Sequence, residues 1–198
     1  MQNLKKTNNK SRNLTIRLTL DAMFAALYIV FGSYLTIRLP FAELSLASLP
    51  ILLCGFAFGP VDALVVSVCG AFVEQVLYGL SLTSPIWMLP AILQGIYAGF
   101  VLYALRKNPK PLYIAIAAVI GELLLTAANT AALYLDAQIW GYSVKALYLL
   151  LPTRLATAAI RMVITVPLVV VLCPRLRKIC GIKFKERKGK SLVTEEKQ

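Results

Sequence analysis

The stretch LYLLLPTRLATAAIRMVITVPLVVVLC, residues 147–173, contains two arginines in an otherwise apolar run. The run is long enough to cross a membrane, since a spanning helix needs about 20 apolar residues. A charged side chain at membrane depth is costly to insert and faces protein or a water-filled cavity. Arg154 and Arg161 are seven residues apart and therefore share one helix face, about 10 Å apart along the axis. They predict that this helix borders a polar interior.

The composition of the whole chain is typical of an integral membrane protein. Of its 198 residues, 59% are hydrophobic, whereas soluble domains are closer to half apolar. The apolar runs predict six spans, at about residues 16–36, 46–57, 61–79, 86–105, 112–135 and 147–173. The second span is short for a straight crossing, so we expect it to be tilted, buried in protein or extended into a loop.

Basic residues cluster outside these runs and set the orientation. Of 21 lysines and arginines, five lie in residues 1–17, three in 106–110 and nine in 175–197. Six spans put all three clusters on one side, which the positive-inside rule makes the cytoplasm. The same pattern favours membrane orientation over nucleic-acid binding as the reason for the net charge of +12.

The predicted fold is therefore all-α, an integral membrane six-helix bundle with both termini cytoplasmic in a prokaryotic plasma membrane. It divides into a basic cytoplasmic tail over residues 1–13, a membrane domain over 14–174 and a basic, disordered tail over 175–198. The tails would fix the topology and attract anionic membrane lipid.

Further polar side chains fall inside the predicted spans. Their depths place much of this set in the outer half of the bundle, together with tryptophan and tyrosine. Polar groups with aromatic residues at one end of a bundle predict an outward-facing pocket for a small molecule, and arginine suits a carboxylate or phosphate. The candidate substrate-binding residues are Arg154, Asn129, Arg161, Glu74, Gln94, Trp87 and Trp140.

Structural alternatives remain open for these residues. Arg161 could form an internal ion pair with Glu122 or Glu74, and Arg154 could extend to the outer surface. Gln94 and Asn129 could join neighbouring helices by hydrogen bonds. The chain has no histidine and no CxxC pair, so we expect no metal site and no catalytic residue of the Ser–His or Cys–His kind.

The first span carries Ala22, Ala25 and Ala26 in the sequence DAMFAAL. Small residues four apart let another helix approach closely. Within a polytopic protein this spacing serves internal packing, and it also suits a docking surface for a partner. The three alanines are the candidate partner-docking residues.

Several stretches are similar to the substrate-binding S components of energy-coupling factor (ECF) vitamin transporters. LASLPILLCGFAFGPVDALVVSVCGAFVEQVL, residues 46–77, resembles the second and third helices of that family. SPIWMLPAILQGIYAGF, residues 84–100, keeps the small-residue pattern of its fourth helix. ANTAALYL at 128–135 and LLPTRLATAAIRMVITVPL at 150–168 resemble the folate-specific branch.

The resemblance implies a bundle whose outward pocket is covered by the loop after the first helix, here TIRLPFAELSLAS at 36–48. It implies capture of a vitamin such as folate, and docking on a transmembrane coupling protein through Ala22 and Ala26. Two cytoplasmic ATPases would supply the energy. The chain itself needs no cofactor, and it has no GxxxxGK[ST] motif with which to bind ATP.

Other functions are compatible with parts of the sequence. The alternative substrates are pantothenate, which is also a carboxylate and the nearest rival, and other water-soluble vitamins. A six-span scaffold or morphogenesis protein would need docking faces and no pocket. A membrane enzyme is disfavoured because the sequence has no histidine and no nucleophile elbow, and a secondary carrier because no inverted repeat is evident.

Overall fold

Six α-helices form the protein in a computed structural model that describes residues 2–39, 42–104, 110–141 and 144–179. They are α1 Gln2–Ile29, α2 Ser48–Ala57, α3 Pro60–Tyr78, α4 Ser84–Ala104, α5 Pro111–Trp140 and α6 Val144–Ile179. A π-helical turn, Val30–Tyr34, ends α1, and two short strands, β1 Ile37–Leu39 and β2 Ala42–Leu44, pair as an antiparallel hairpin. The predicted six-helix bundle is confirmed, and the hairpin is an addition within the predicted loop at 36–48.

The helices extend further than the apolar runs. Helix α1 already begins at Gln2, inside the predicted tail, and α6 continues beyond Pro174 to Ile179. Likewise, α5 ends at Trp140 instead of near residue 135. Hydropathy marks where a helix meets lipid, whereas the backbone hydrogen bonds can continue into water. Residues 180–198 of the predicted C-terminal tail lie outside the described residues.

Five of the helices are long and apolar enough to cross a membrane. Helix α2 has ten residues, about 15 Å of helix, which is half the thickness of the hydrocarbon layer. All ten are buried, and α2 packs against the other five helices. Because the other helices surround it, α2 is shielded from lipid, so the expectation that it is buried in protein is confirmed. The chain is a multi-pass membrane protein.

The contacts define two ends of the bundle. Arg17 of α1 forms an ion pair of 2.5 Å with Asp62 in the first turn of α3. Arg177 of α6 donates to the carbonyl of Phe56 near the end of α2. Since α3 follows α2 after a tight turn, α1 and α6 approach the same end, here called the terminal end. The opposite end carries the hairpin and is called the hairpin end.

Helix α2 packs against α4 through a glycine. A Cβ added at Gly55 would overlap the Cβ of Ala98 and crowd its backbone, and the Cβ of any residue at position 99 would strike Pro60 of α3. Small residues at such crossings let two backbones approach closely, which is how membrane helices pack without a hydrophobic driving force between them. The α2–α4 distance therefore depends on Gly55.

We expect Gly55→Val to destabilise the purified protein by about 1–3 kcal/mol, because the added methyl groups overpack the α2–α4 contact. Thermal unfolding in detergent measures this change. Ala127→Val, on the exposed face of α5, is the matched control and should stay within about 0.5 kcal/mol of the wild type. Equal stability of the two variants would show that the α2–α4 contact can expand at no cost.

Candidate substrate-binding site

Polar residues recur every seven positions along α5, at Glu122, Asn129 and Asp136. The two arginines of α6 have the same spacing, and the helices run antiparallel. Residue 161 therefore meets residue 122, and residue 154 meets residue 129. Successive levels are separated by seven residues, about 10 Å of helix. The levels of Glu122, Asn129 and Asp136 are called the inner, middle and outer levels, and the outer level lies nearest the hairpin end.

The inner level is a buried ion pair. Arg161 Nε donates to Glu122 Oε2 at 2.6 Å, and Arg161 Nη2 donates to Thr126 Oγ1 at 2.9 Å. The Glu122 side chain is fully buried and that of Arg161 is 11% exposed. The structural alternative for Arg161, a pair with Glu122, is therefore present. Its role in substrate binding stays a prediction.

Gln94 of α4 lies near this inner level. Tyr97, three residues further along α4, would touch a Cβ at Gly121 of α5 and donates to the carbonyl of Ala117. Gln94 lies one turn closer to the hairpin end than Tyr97, and it is therefore level with the part of α5 around Glu122. Gln94 is 0% exposed, and neither amide atom has a hydrogen-bond partner within the described part of the chain.

The middle level joins α5 and α6 through the backbone. Arg154 Nη1 donates to the carbonyl oxygen of Asn129 at 3.3 Å. Both residues are partly buried, so Arg154 lies between the helices instead of extending fully to the surface. Pro152, two residues earlier, is accommodated inside α6. This level holds a guanidinium and a side-chain amide, which can bind a carboxylate and a polar ring edge.

The outer level is marked by an aromatic side chain. Trp87 Nε1 of α4 donates to Asp136 Oδ1 of α5 at 3.4 Å, a long hydrogen bond. Trp140 is 54% exposed at the end of α5, where Gly141, with φ of 70°, ends the helix. Trp87 thus belongs to the polar levels between α4 and α5, while Trp140 lies at their rim.

Glu74 connects α3 with α1. Its Oε2 accepts a hydrogen bond of 2.7 Å from the hydroxyl of Tyr28, and its Oε1 lies so close to Gly32 that a Cβ there would displace it. This contact is on the side of the bundle away from α5 and α6. The structure does not bring Glu74 together with Arg154 and Asn129, and its role in substrate binding stays a prediction.

The hairpin is fastened to the same part of α1. The wider π-helical turn leaves the carbonyls of Phe31 and Gly32 to side-chain donors, because its hydrogen-bond pattern departs from that of the α-helix. Ser45 Oγ donates to Phe31 O at 3.3 Å, and the Tyr78 hydroxyl donates to Gly32 O at 3.1 Å. Strand β2 also packs against α6. The hairpin thus reaches from α1 to α6 at the end where the outer level lies.

Two of the three alanines on α1 share an exposed face. Ala22 and Ala26 are exposed, whereas Ala25 is partly buried and packs against the core beside the buried Phe24. A docking surface on α1 can therefore include Ala22 and Ala26. Ala25 instead takes part in internal packing, which was the other role that the sequence allowed.

Sequence reasoning missed three residues that the structure brings into these contacts: Tyr28, Thr126 and Asp136. Asp136 follows Asn129 by seven residues, so the spacing of Glu122 and Asn129 could have extended the polar face to it. Thr126, four residues after Glu122, shares the same side of α5. Tyr28 carries no such signal, because tyrosine is also common in apolar spans.

Comparisons with known proteins agree on the fold. The chain resembles the structure described as "Crystal structure of FolT bound with folic acid" with a TM-score of 0.59 and 21% identity, over 82% of this chain and 95% of that one. It resembles the structure described as "Structure and mechanism of the S component of a bacterial ECF transporter" with a TM-score of 0.57 and 20% identity, over 84% and 98%. A search of curated protein sequences finds no match.

The sequence itself matches a family. The family described as "ECF transporter, substrate-specific component" matches residues 16–173. This range begins in α1 near Arg17 and ends in α6 at Cys173, so it includes the hairpin and all three polar levels. The chain belongs to the family of substrate-specific components of ECF transporters.

Proposed function

We propose that this protein captures folate at the outer surface of the membrane and delivers it to an ECF module. The observation that carries the proposal is the guanidinium of Arg154, held between α5 and α6 at the carbonyl of Asn129. Folate has carboxylates, an amide and a flat aromatic ring, which match an arginine fork, an asparagine side chain and a tryptophan. A structural relative is described as binding folic acid, which supports this choice of vitamin.

Each residue then has a role in the proposed site. Arg154 pairs with a carboxylate of the ligand, Asn129 bonds an amide or ring edge, and Trp87 stacks on the ring, with Trp140 at the rim. Arg161 acts on the ligand through its ion pair with Glu122, which keeps the inner level polar without exposing a net charge. Glu74 acts at a distance, through the part of α1 that holds the hairpin.

The hairpin end faces outward in this proposal, with both termini in the cytoplasm. Three clusters, in residues 1–17, 106–110 and 175–197, hold 17 of the 21 basic residues, which fits the positive-inside rule. The hairpin between α1 and α6 then covers the outer level and serves as the lid of the pocket.

Transport requires partners that this chain does not contain. We propose that Ala22 and Ala26 dock on the transmembrane coupling protein, and that two cytoplasmic ATPases supply the energy. This chain then performs no chemistry, needs no cofactor and binds no nucleic acid, and its contacts outside the transporter are with membrane lipid.

Native mass spectrometry of the purified protein tests the proposal directly. We expect a co-purifying or added mass of folic acid, and thermal stabilisation by folic acid that rises with its concentration, because a ligand that binds only the folded state stabilises it. Pantothenate is the comparison ligand. Stabilisation by pantothenate alone would identify pantothenate as the substrate instead of folate, and a protein that neither compound stabilises would point to another water-soluble vitamin.

The two arginines should respond differently to substitution. Arg154→Ala is expected to weaken folic acid binding by at least about tenfold, since a hydrogen bond to a charged group contributes about 1.5–3 kcal/mol. Isothermal titration of the purified protein measures this loss.

Arg161→Ala is the matched variant, and it should instead reduce the stability of the ligand-free protein by about 3–5 kcal/mol, because Glu122 is left buried and unpaired. The double variant Glu122→Ala/Arg161→Ala should recover part of this stability. Unchanged affinity in Arg154→Ala would remove its role in binding, and lower affinity at full stability in Arg161→Ala would make that residue a ligand contact.

The docking surface can be tested apart from the pocket. Ala22→Leu/Ala26→Leu should reduce the yield of the complex with the coupling protein at least about fivefold, because the larger side chains prevent close helix approach. Co-purification of tagged subunits measures the yield, and folic acid binding should stay at the wild-type level. Ala131→Leu, on the exposed face of α5, is the control. Normal assembly of the α1 variant would place docking elsewhere.

A further inference from the structure

Asp21 is a buried carboxylate near the terminal end of α1. It is 7% exposed, and no hydrogen bond or ion pair joins it to another residue that the structure describes. A charged group buried without a partner costs free energy, because it has given up its hydration. The carboxylate is not among the fully enclosed atoms that lack a partner, so its oxygens keep a small contact with the surface.

The charges around Asp21 leave it without compensation. Arg17, one turn earlier on α1, attracts Asp21 but forms its ion pair with Asp62 of α3, and Asp62 repels Asp21. Helices α2 and α3, which pack against α1, contain no lysine or arginine. The other basic residues of α1 precede Asp21 by nine or more positions, about 13 Å of helix or more. Two carboxylates therefore share one guanidinium, and one negative charge is in excess.

Asp21 borders the exposed face of α1 that carries Ala22 and Ala26. It immediately precedes Ala22, and Ala25 follows it by one turn, so short side chains flank it on the side that leads to this face. Val61 of α3, next to Asp62, is 67% exposed, so α3 also leaves this end of the surface uncovered. A helix that packs on Ala22 and Ala26 would therefore bring its side chains to the edge where Asp21 reaches the surface.

We propose that Asp21 pairs with an arginine of the transmembrane coupling protein when that protein docks on Ala22 and Ala26. This inference rests on the docking in the proposed function and not on the identity of the vitamin. The guanidinium supplies the positive charge that is missing around Asp21, and its several donors reach the carboxylate from the surface. A partner helix with an apolar side chain at this point would bury the carboxylate unpaired, which is costly. The alanines thus permit close approach, and Asp21 selects the helix that makes it.

Co-purification of the full-length chain with the coupling protein and the two ATPases of its own ECF module tests this pairing. Asp21→Asn keeps the shape of the side chain and removes its charge. It should lower the yield of the complex at least about fivefold, because the arginine of the partner is then buried without its carboxylate. Glu195→Gln makes the same change of net charge in the C-terminal tail, and this control should assemble at the wild-type yield.

A charge exchange identifies the arginine. Asp21→Arg should prevent assembly, because two like charges then meet in the interface. Replacing one arginine of the coupling protein by aspartate should restore the yield with Asp21→Arg and lower it with the wild-type chain. A scan over the arginines of the coupling protein locates this position, and a scan in which no replacement restores assembly would contradict the pairing.

The stability of the isolated chain separates this role from a structural one. Asp21→Asn should melt at the wild-type temperature or higher, because it removes a carboxylate that has no partner and that is repelled by Asp62. Asp62→Asn is the matched variant and should melt at a lower temperature, because Arg17 loses its partner and the first turn of α3 loses its negative charge. Asp21→Ser provides the same test if the asparagine variant does not fold.

Either of two results with Asp21→Asn would overturn the inference. Assembly at the wild-type yield, while Ala22→Leu/Ala26→Leu fails to assemble, would keep the docking surface and exclude the pairing. A lower melting temperature of the isolated chain would show that Asp21 has its partner within this chain. If Ala22→Leu/Ala26→Leu assembles normally, the proposed docking fails and this inference fails with it; that case is recognised without any Asp21 variant.

Discussion

A charge inside the hydrocarbon layer has to be matched by the protein, and the contact between Arg161 and Glu122 meets this requirement at the inner level. The carboxylate is fully buried and the guanidinium nearly so, so removing either partner would leave an uncompensated charge in the interior. The pair also fixes how α5 and α6 align, because residue 122 must face residue 161. Once that register is set, the seven-residue spacing brings Arg154 to Asn129 without any further constraint. The geometry of the candidate site thus follows from one ion pair.

A second constraint acts on the other side of the bundle, where α2 is too short to cross the membrane. Each of its ten residues is buried, so the helix exists only because five others surround it. The approach of α4 depends on Gly55, and Arg177 donates to the carbonyl of Phe56 at the C-terminal end of α2. This arginine comes from α6, the helix that also carries the site. The packing of the core and the position of the pocket wall are therefore linked through α6.

The sequence predicts the helices and their order because apolar runs report directly on contact with lipid. It also places Arg154 and Arg161 on one face, since that follows from helical periodicity alone. It does not predict that Arg161 pairs with Glu122 instead of Glu74, because this choice depends on which helices are neighbours. The hairpin is missed for a related reason: strands of three residues are stabilised by their anchors, here the bonds from Ser45 and Tyr78 to the carbonyls of the π-helical turn. Helix ends are missed where a helix continues into water, as α6 does beyond Pro174.

The levels of the proposed site differ in what they contribute to the fold. The inner pair and the glycine contacts hold the helices of this bundle together, and two structures at 20–21% identity share its fold. Side chains such as Gln94 and Asn129 are not needed to align the helices, because the ion pair already does so. They can change with the ligand without changing the register of α5 and α6. In the proposed site, the stability of the fold and the choice of ligand therefore rest on different residues, although those residues lie on the same helices and within about two turns of one another.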